Sequence, residues 1–315
     1  MVRGHYGHTE TTVQADKNID AVSKQDDLDQ TILQATQAIK LDSRNATAYN
    51  SRAFAYCAQG KLEAAMSDCT RSIKLDPQNA GSYYNRALVF AKQGNLDQAI
   101  ADFTKAIELD NKYANAYLDR GFAYYNQGKL EQAINDYSEV IQLNPQSAIA
   151  FNNRSTVYEQ QGRFDQALAD CEQAIKIDSQ YFNAYITRGN INLAQEKYDC
   201  AIADYSKVIE SQQKSFQGYA NRAIAYSRQG ILDRALSDYT NALRLAPNKF
   251  DLYIGRGNVY VRQGIFGMAL DDFVRALELA PTSSAAHHFI GLLYRRLSRY
   301  NDAVVHLLIA DNLQP

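Results

Sequence analysis

The chain of 315 residues contains no Trp, only five Pro, and four Cys of which no two form a CxxC pair. So few cysteines, so spaced, exclude a disulfide-stapled scaffold and the usual zinc-finger spacing. Three of the four, Cys57, Cys69, Cys171 and Cys200, fall on apolar or half-buried helical positions, and they read as small core residues of a reducing compartment, as buried thiols usually are. Long apolar runs are also missing. The longest, from Ala303 to Ala310 and broken by His306, is far short of the ~20 residues that a membrane span requires. Residues 1–24 are polar with no apolar segment of the kind that directs secretion, so the expected location is the cytoplasm. Charge of one sign is not in excess either. With 33 basic and 35 acidic side chains the formal charge is −2, and no overall field draws the chain to nucleic acid.

Catalytic signatures are absent as well. The sequence has no phosphate-binding loop, GxSxG elbow, HExxH or glycine-rich dinucleotide turn. Of its only histidine clusters, His5-x-x-His8 lies in the expected loose tail and His287-His288 falls on a helix with no acidic or cysteine companions. Neither a cofactor nor a metal nor an enzymatic activity is expected.

What is present is a period. The five prolines, at 77, 145, 247, 281 and 315, are separated by 68, 102, 34 and 34 residues, all multiples of 34. With Pro at place 32, 34-residue repeats start at Ala46, Ala80, Ala114, Ala148, Phe182, Phe216, Phe250 and Ser284 and run to residue 315 without insertion. Place 4 is aromatic in Tyr49, Tyr83, Tyr117, Phe151, Tyr185, Tyr219 and Tyr253. Place 11 is aromatic in Tyr56, Phe90, Tyr124, Tyr158, Tyr226, Tyr260 and Tyr294, and place 8 is always Ala, Gly or Ser. Places 4, 8 and 11 lie on one face of a helix. A second amphipathic helix follows at places 17, 20, 21, 24 and 28, with Ala at place 20 in all eight repeats, where two helices must come close. Glycine at place 15, as in Gly60, Gly94 and Gly128, stops the first helix. Fifteen of the 22 tyrosines occupy places 4, 11 and 24.

These units, such as Tyr117-x-x-Arg120-Gly121-x-x-Tyr124 followed by Ala133, Tyr137 and Pro145, resemble the tetratricopeptide repeat family. The resemblance covers residues 46–315 and implies an all-α, right-handed superhelical solenoid of antiparallel helix pairs, in which the first helices line a concave groove. The eight repeats are 46–79, 80–113, 114–147, 148–181, 182–215, 216–249, 250–283 and 284–315. Residues 25–45 match only a second helix and are expected as a degenerate half-repeat or cap, and residues 1–24 as a loose tail. The fifth repeat departs most from the pattern, so residues 210–215 are the expected hinge.

Place 7 is Arg in seven repeats and place 23 is Asp in the same seven, while the eighth has Ile290 and His306. Residues that appear and disappear together point to a bidentate Arg–carboxylate bridge inside each hairpin, not to a ligand-binding arginine ladder.

By the resemblance, places 2, 5, 6, 9, 12 and 13 face the groove. Its N-terminal part then presents Asn50, Phe54, Tyr84, Leu88, Leu118, Phe122 and Tyr125, an apolar and aromatic wall. Place 6 is short and polar, with Asn85, Asp119, Asn153 and Asn221 among its residues. An amide at fixed spacing can both donate to and accept from an extended peptide backbone. In the last three repeats place 13 is Arg228, Arg262 and Arg296, and residues 216–315 carry 11 basic against 8 acidic side chains. That stripe favours an acidic segment of a partner. The carboxylate clamp of co-chaperones in this family needs Lys at place 5, and no repeat has one there.

In the last helix Val305, Leu308 and Ile309 occupy places that are mainly polar elsewhere, which marks an apolar end interface suited to a second copy of the chain. The expected function is a protein–protein interaction scaffold that binds an extended peptide segment in its groove. The alternatives are a structural protein self-assembling through its apolar C-terminal end, or a targeting module for a separate enzyme. Protein is the expected partner, with neither nucleic acid nor membrane.

Overall fold

The computed structural model describes residues 25–212 and 215–313. The expected tail 1–24 lies outside the described residues, as do Gln213 and Lys214 of the expected hinge.

Among the described residues the structure is all-α, with helix α1 (Gln25–Leu41) preceding eight helical hairpins. These are α2 (Ala46–Ala58) with α3 (Leu62–Leu75), α4 (Ala80–Lys92) with α5 (Leu96–Leu109), α6 (Ala114–Asn126) with α7 (Leu130–Leu143), and α8 (Ala148–Gln160) with α9 (Phe164–Ile177). The series continues with α10 (Phe182–Ala194) and α11 (Tyr198–Ser211), α12 (Phe216–Gln229) and α13 (Leu232–Leu245), α14 (Phe250–Gln263) and α15 (Phe266–Leu279), and α16 (Ser284–Arg296) and α17 (Tyr300–Asn312). The chain divides into two compact units, residues 1–184 and 185–315, with the boundary inside α10. Within each unit the helices of a hairpin pack on one another, and the second packs on the first helix of the next hairpin. This is a solenoid of antiparallel helix pairs.

Local chemistry sets the helix ends. Asn45, Asn79, Ser147, Ser215 and Ser283 each accept a hydrogen bond from the backbone N–H three residues on, satisfying one of the donors that a helix start leaves open. At the end of α2 the Lys61 N–H donates to the Tyr56 carbonyl at 2.9 Å across Gly60, whose φ is +75°. That left-handed closure recurs at every hairpin, because the N–H of residue 95, 129, 163, 197, 231, 265 or 299 reaches back five residues in the same way. In the fifth and eighth hairpins the left-handed residue is not glycine but Glu196 and Ser298, each with φ +60°.

The core is an interlock of small and large residues. Ala65, Ala99, Ala133, Ala167, Ala201, Ala235 and Ala269 at place 20 are fully buried, which fits the close helix approach expected there. Place 24 sends Phe103, Tyr137, Tyr205 or Phe273 into the hairpin, each buried and each contributing roughly 1.5–3 kcal/mol by leaving water. Place 8 must then be small. A Cβ added to Gly121 would lie 2.8 Å from the Tyr137 ring, and one added to Gly189 would lie 2.6 Å from Tyr205. Where place 24 is instead Cys171, place 8 is Ser155, whose hydroxyl donates to the Ala167 carbonyl at 2.8 Å. Cys57, Cys69 and Cys171 are buried free thiols, and Cys200 is exposed.

Candidate interaction surface

The frame that positions the first helices is the Arg–Asp bridge. In all seven pairs the Arg Nε and Nη2 both donate to the Asp carboxylate, for example Arg52 to Asp68 at 2.7 and 2.9 Å and Arg120 to Asp136 at 2.8 and 2.7 Å. In five of the seven the guanidinium also lies near the aromatic rings at both places 4 and 11, with Arg120 at 5.5 Å from Tyr117 and 5.8 Å from Tyr124. Four sequence signals, at places 4, 7, 11 and 23, are therefore one structure: an arginine held between two rings and clamped by an acid. Burial pushes the Asp136 carboxyl above its ordinary value even though Arg120 pulls it the other way. In the eighth hairpin the pair is replaced by two histidines, His287 at place 4 and His306 at place 23, whose Nδ1 atoms are 3.0 Å apart.

Adjacent first helices are offset by one residue, so a side chain meets its counterpart 35 positions away. Asn85 Nδ2 donates to Asn50 Oδ1 at 2.8 Å and to the Asn50 carbonyl at 3.3 Å. Tyr84 Oη donates to Asp119 Oδ2 at 2.7 Å, and Lys92 Nζ to the Cys57 carbonyl at 2.9 Å. Arg262 Nη1 donates to Ser227 Oγ at 2.8 Å and to the Ser227 carbonyl.

This offset decides where the sequence-selected residues sit. Asn85 and Asp119 are buried and bonded to the preceding repeat, and Asn153 and Asn221 are buried too, with Asn153 at 0% exposure. Leu88 and Leu118 also lie in the interior. Such short polar groups and branched leucines fill the space between neighbouring first helices, so in the free chain they offer almost no surface. The residues of the N-terminal set that stay half-buried are Asn50, Phe54, Tyr84, Phe122 and Tyr125. In the other compact unit Arg228, Arg262 and Arg296 are exposed, and the Arg296 guanidinium lies 5.1 Å from the centre of the Phe266 ring. Glu159, on α8, has its carboxyl pushed up to about 7 by burial.

On α17 Val305 and Leu308 are exposed at 55% and 57%, and Ile309 is exposed as well. Val304 and Tyr300 extend this patch and had given no sequence signal, because apolar residues are ordinary at their places. No helix of the described residues is long and apolar enough to cross a membrane, and no group of three metal-ligating side chains occurs among them.

A stack of helical hairpins with this spacing, this small/large interlock and these left-handed turns is an α-solenoid of repeats. A family model described as TPR repeat matches residues 54–94, 88–128 and 123–162, and models described as tetratricopeptide repeat match residues 148–181 and 216–249. The chain belongs to the tetratricopeptide repeat family. Among solved structures it is similar to a tetratricopeptide repeat protein from Parabacteroides merdae, with 20% identity, a TM-score of 0.65, and 79% of this chain and 98% of that chain covered. It is similar as well to a chain of the APC/C hetero-tetramer Cut9–Hcn1, with 18% identity and a TM-score of 0.65. That match covers 94% of this chain but only 57% of the other. PilF of Pseudomonas aeruginosa gives 20% identity and a TM-score of 0.58, covering 67% of this chain and 97% of that one. At such identities the likeness is one of fold. No curated protein matches the chain in sequence.

Proposed function

We propose that the chain is a non-enzymatic scaffold that holds an extended segment of a partner protein along its first helices. Membership of a repeat family built for protein interaction supports the coarse statement. The finer one rests on a single observation: Phe54, Tyr84, Phe122 and Tyr125 keep part of their surface open on the first helices, although the hairpin core is closed by places 8, 20 and 24. Aromatic surface left at such positions suits apolar side chains of a partner. The exposed Arg228, Arg262 and Arg296 supply the opposite chemistry, attraction of an acidic segment. Three buried free thiols fit a reducing compartment such as the cytoplasm.

The test is a pull-down with the tagged full chain followed by mass spectrometry, repeated with Phe122→Ser/Tyr125→Ser and with Arg228→Glu/Arg262→Glu. One partner that the wild type retains and either variant loses carries the reading. A partner whose retention at low salt is unchanged in both variants removes it.

A second reading, self-association through α17, is favoured by the exposure of Val304, Val305 and Leu308. Light scattering that gives a monomer at all concentrations, unchanged by Leu308→Glu/Ile309→Glu, would eliminate it.

A further inference from the structure

The C-terminal compact unit contains a cavity of about 410 Å³ between α14, α15 and α16. Its apolar lining comes from Val261 of α14, Phe273 of α15, and Phe289, Leu292 and Leu293 of α16. Phe273 is fully buried and stacks behind Phe289, with ring centres 5.8 Å apart and planes 17° from parallel, so Phe289 is the aromatic face that the cavity presents. Arg295 and Arg296 stand on its margin. Both are exposed, and neither enters an ion pair among the described residues.

The remaining lining residue is Asn258, at place 9 of α14. Its Nδ2 is buried and has no hydrogen-bond partner among the described residues. The same place in the fifth repeat is built differently. Asn190 is at the same place of the fifth repeat, and its Oδ1 accepts from the hydroxyl of Tyr205 at place 24, 2.7 Å away. In the seventh repeat place 24 is Phe273, which has no hydroxyl. The eighth repeat adds a second departure, because place 6 is Phe289 where other repeats carry a short residue. The hydroxyl that pairs with an amide oxygen in the fifth repeat is missing here, and the added ring of Phe289 sets the unpartnered Asn258 Nδ2 beside an aromatic hollow. A buried amide of this kind costs free energy unless an acceptor reaches it.

We infer that this hollow is an anchor site for a bulky apolar side chain, preferably Phe, carried by an acidic peptide segment of a partner protein. The ring enters against Phe289, Val261 and Leu292, the flanking carboxylates meet Arg295 and Arg296, and a peptide carbonyl accepts from Asn258 Nδ2. The inference rests on the scaffold reading above and assigns one specific contact within it. It differs from terminal-carboxylate capture, because the acids are side chains beside the anchor and the chain end has no part.

Fluorescence anisotropy of three labelled, end-blocked peptides with the full chain tests it: Glu-Asp-Phe-Asp-Glu, Glu-Asp-Ala-Asp-Glu and Lys-Lys-Phe-Lys-Lys. The first is expected to bind, the second at least tenfold more weakly, and the third not measurably. Arg295→Glu/Arg296→Glu, with unchanged helical circular dichroism, is expected to abolish binding of the first peptide, and Asn258→Ala to weaken it several-fold. Equal affinity for the Phe and Ala peptides overturns the anchor site without requiring any protein variant. Binding that survives Arg295→Glu/Arg296→Glu but is lost in Phe122→Ser/Tyr125→Ser overturns the anchor site and leaves the scaffold reading standing. Failure of the first peptide to bind wild type also overturns it, while the scaffold reading keeps its own test in the pull-down.

Discussion

Arg120 donates from Nη1 to Thr104 Oγ1 of the preceding repeat at 3.0 Å, while its Nε and Nη2 hold Asp136 of its own hairpin. One guanidinium thus joins α5, α6 and α7. The arrangement recurs between Arg52 and Thr36, Arg154 and Ser138, and Arg222 and Ser206, at 3.1, 2.9 and 2.9 Å. The bridge inside a hairpin is therefore also a joint between repeats. This is the interface term on which a stack of units depends, since no unit buries its own core.

Removing one partner of this bridge should be costly. Arg120→Ala is expected to destabilise by about 3–5 kcal/mol, because it leaves the buried Asp136 carboxylate unpaired. Thr104→Ala should cost about 1 kcal/mol, the net value of one hydrogen bond. The double variant Arg120→Ala/Asp136→Ala should cost clearly less than the sum of its single changes. Urea melts of the four-member cycle measure the coupling, and strict additivity would contradict the pairing.

The two turns that lack glycine offer a gain in stability. Glu196 and Ser298 are held at φ +60°, where an L side chain costs roughly 1–2 kcal/mol. Glycine relieves that cost, offset by its own greater freedom in the unfolded chain. Glu196→Gly and Ser298→Gly should each stabilise by about 0.5–1 kcal/mol, and Gly128→Ala, at φ +72°, should do the reverse. Calorimetric melting temperatures of the three variants decide it, and a fall for both glycine replacements would contradict the argument.

Glu159 gives the chain a pH dependence of known sign. Burial raises its carboxyl from 4.5 in the unfolded chain to about 7 in the folded one. Between these values the folded state binds more protons, so its contribution to stability is greatest below 4.5 and falls as pH rises to about 7. Glu159→Gln should remove that slope and stabilise the chain at pH 8 by on the order of 2–3 kcal/mol. Parallel pH profiles of wild type and variant, measured by urea denaturation, would refute the assignment.

Much of this architecture was legible in the sequence because it repeats within one hairpin. Proline spacing, the glycine turns, the invariant Ala at place 20 and the joint change of Arg and Asp all concern positions fixed by one 34-residue period. Contacts between hairpins were harder to read, since the period does not reveal the one-residue offset of neighbouring first helices. That offset turns Asn85 toward Asn50 and Asp119 toward Tyr84, where their spacing alone had suggested an amide row open to a peptide. A usable signal did exist for the joints. Place 25 carries a hydroxyl in Thr70, Thr104, Ser138, Ser206 and Thr240, and place 14 is Gln in seven repeats. Gln59, Gln127, Gln161, Gln229 and Gln263 each donate to the acid at place 18 of the preceding repeat, for instance Gln127 Nε2 to Asp97 Oδ1 at 2.9 Å.

The tyrosines at place 24 separate the value of a ring from that of its hydroxyl. Tyr137 Oη is buried with no hydrogen-bond partner among the described residues, whereas Tyr205 Oη donates to Asn190 at 2.7 Å. The rings are otherwise equivalent, both fully buried and both packed against a glycine at place 8. Phe already fills this place in the second and seventh repeats, as Phe103 and Phe273, so the hole accepts a ring without oxygen. Tyr137→Phe should therefore stabilise by about 1 kcal/mol, because a desolvated hydroxyl with nothing to bond is removed. Tyr205→Phe should destabilise by about 1–2 kcal/mol, because Asn190 loses its donor. Thermal melts of the two variants should move in opposite directions. A shift of the same sign and size in both would mean that the hydroxyl of Tyr137 is satisfied in solution and that the contrast between the two repeats does not hold.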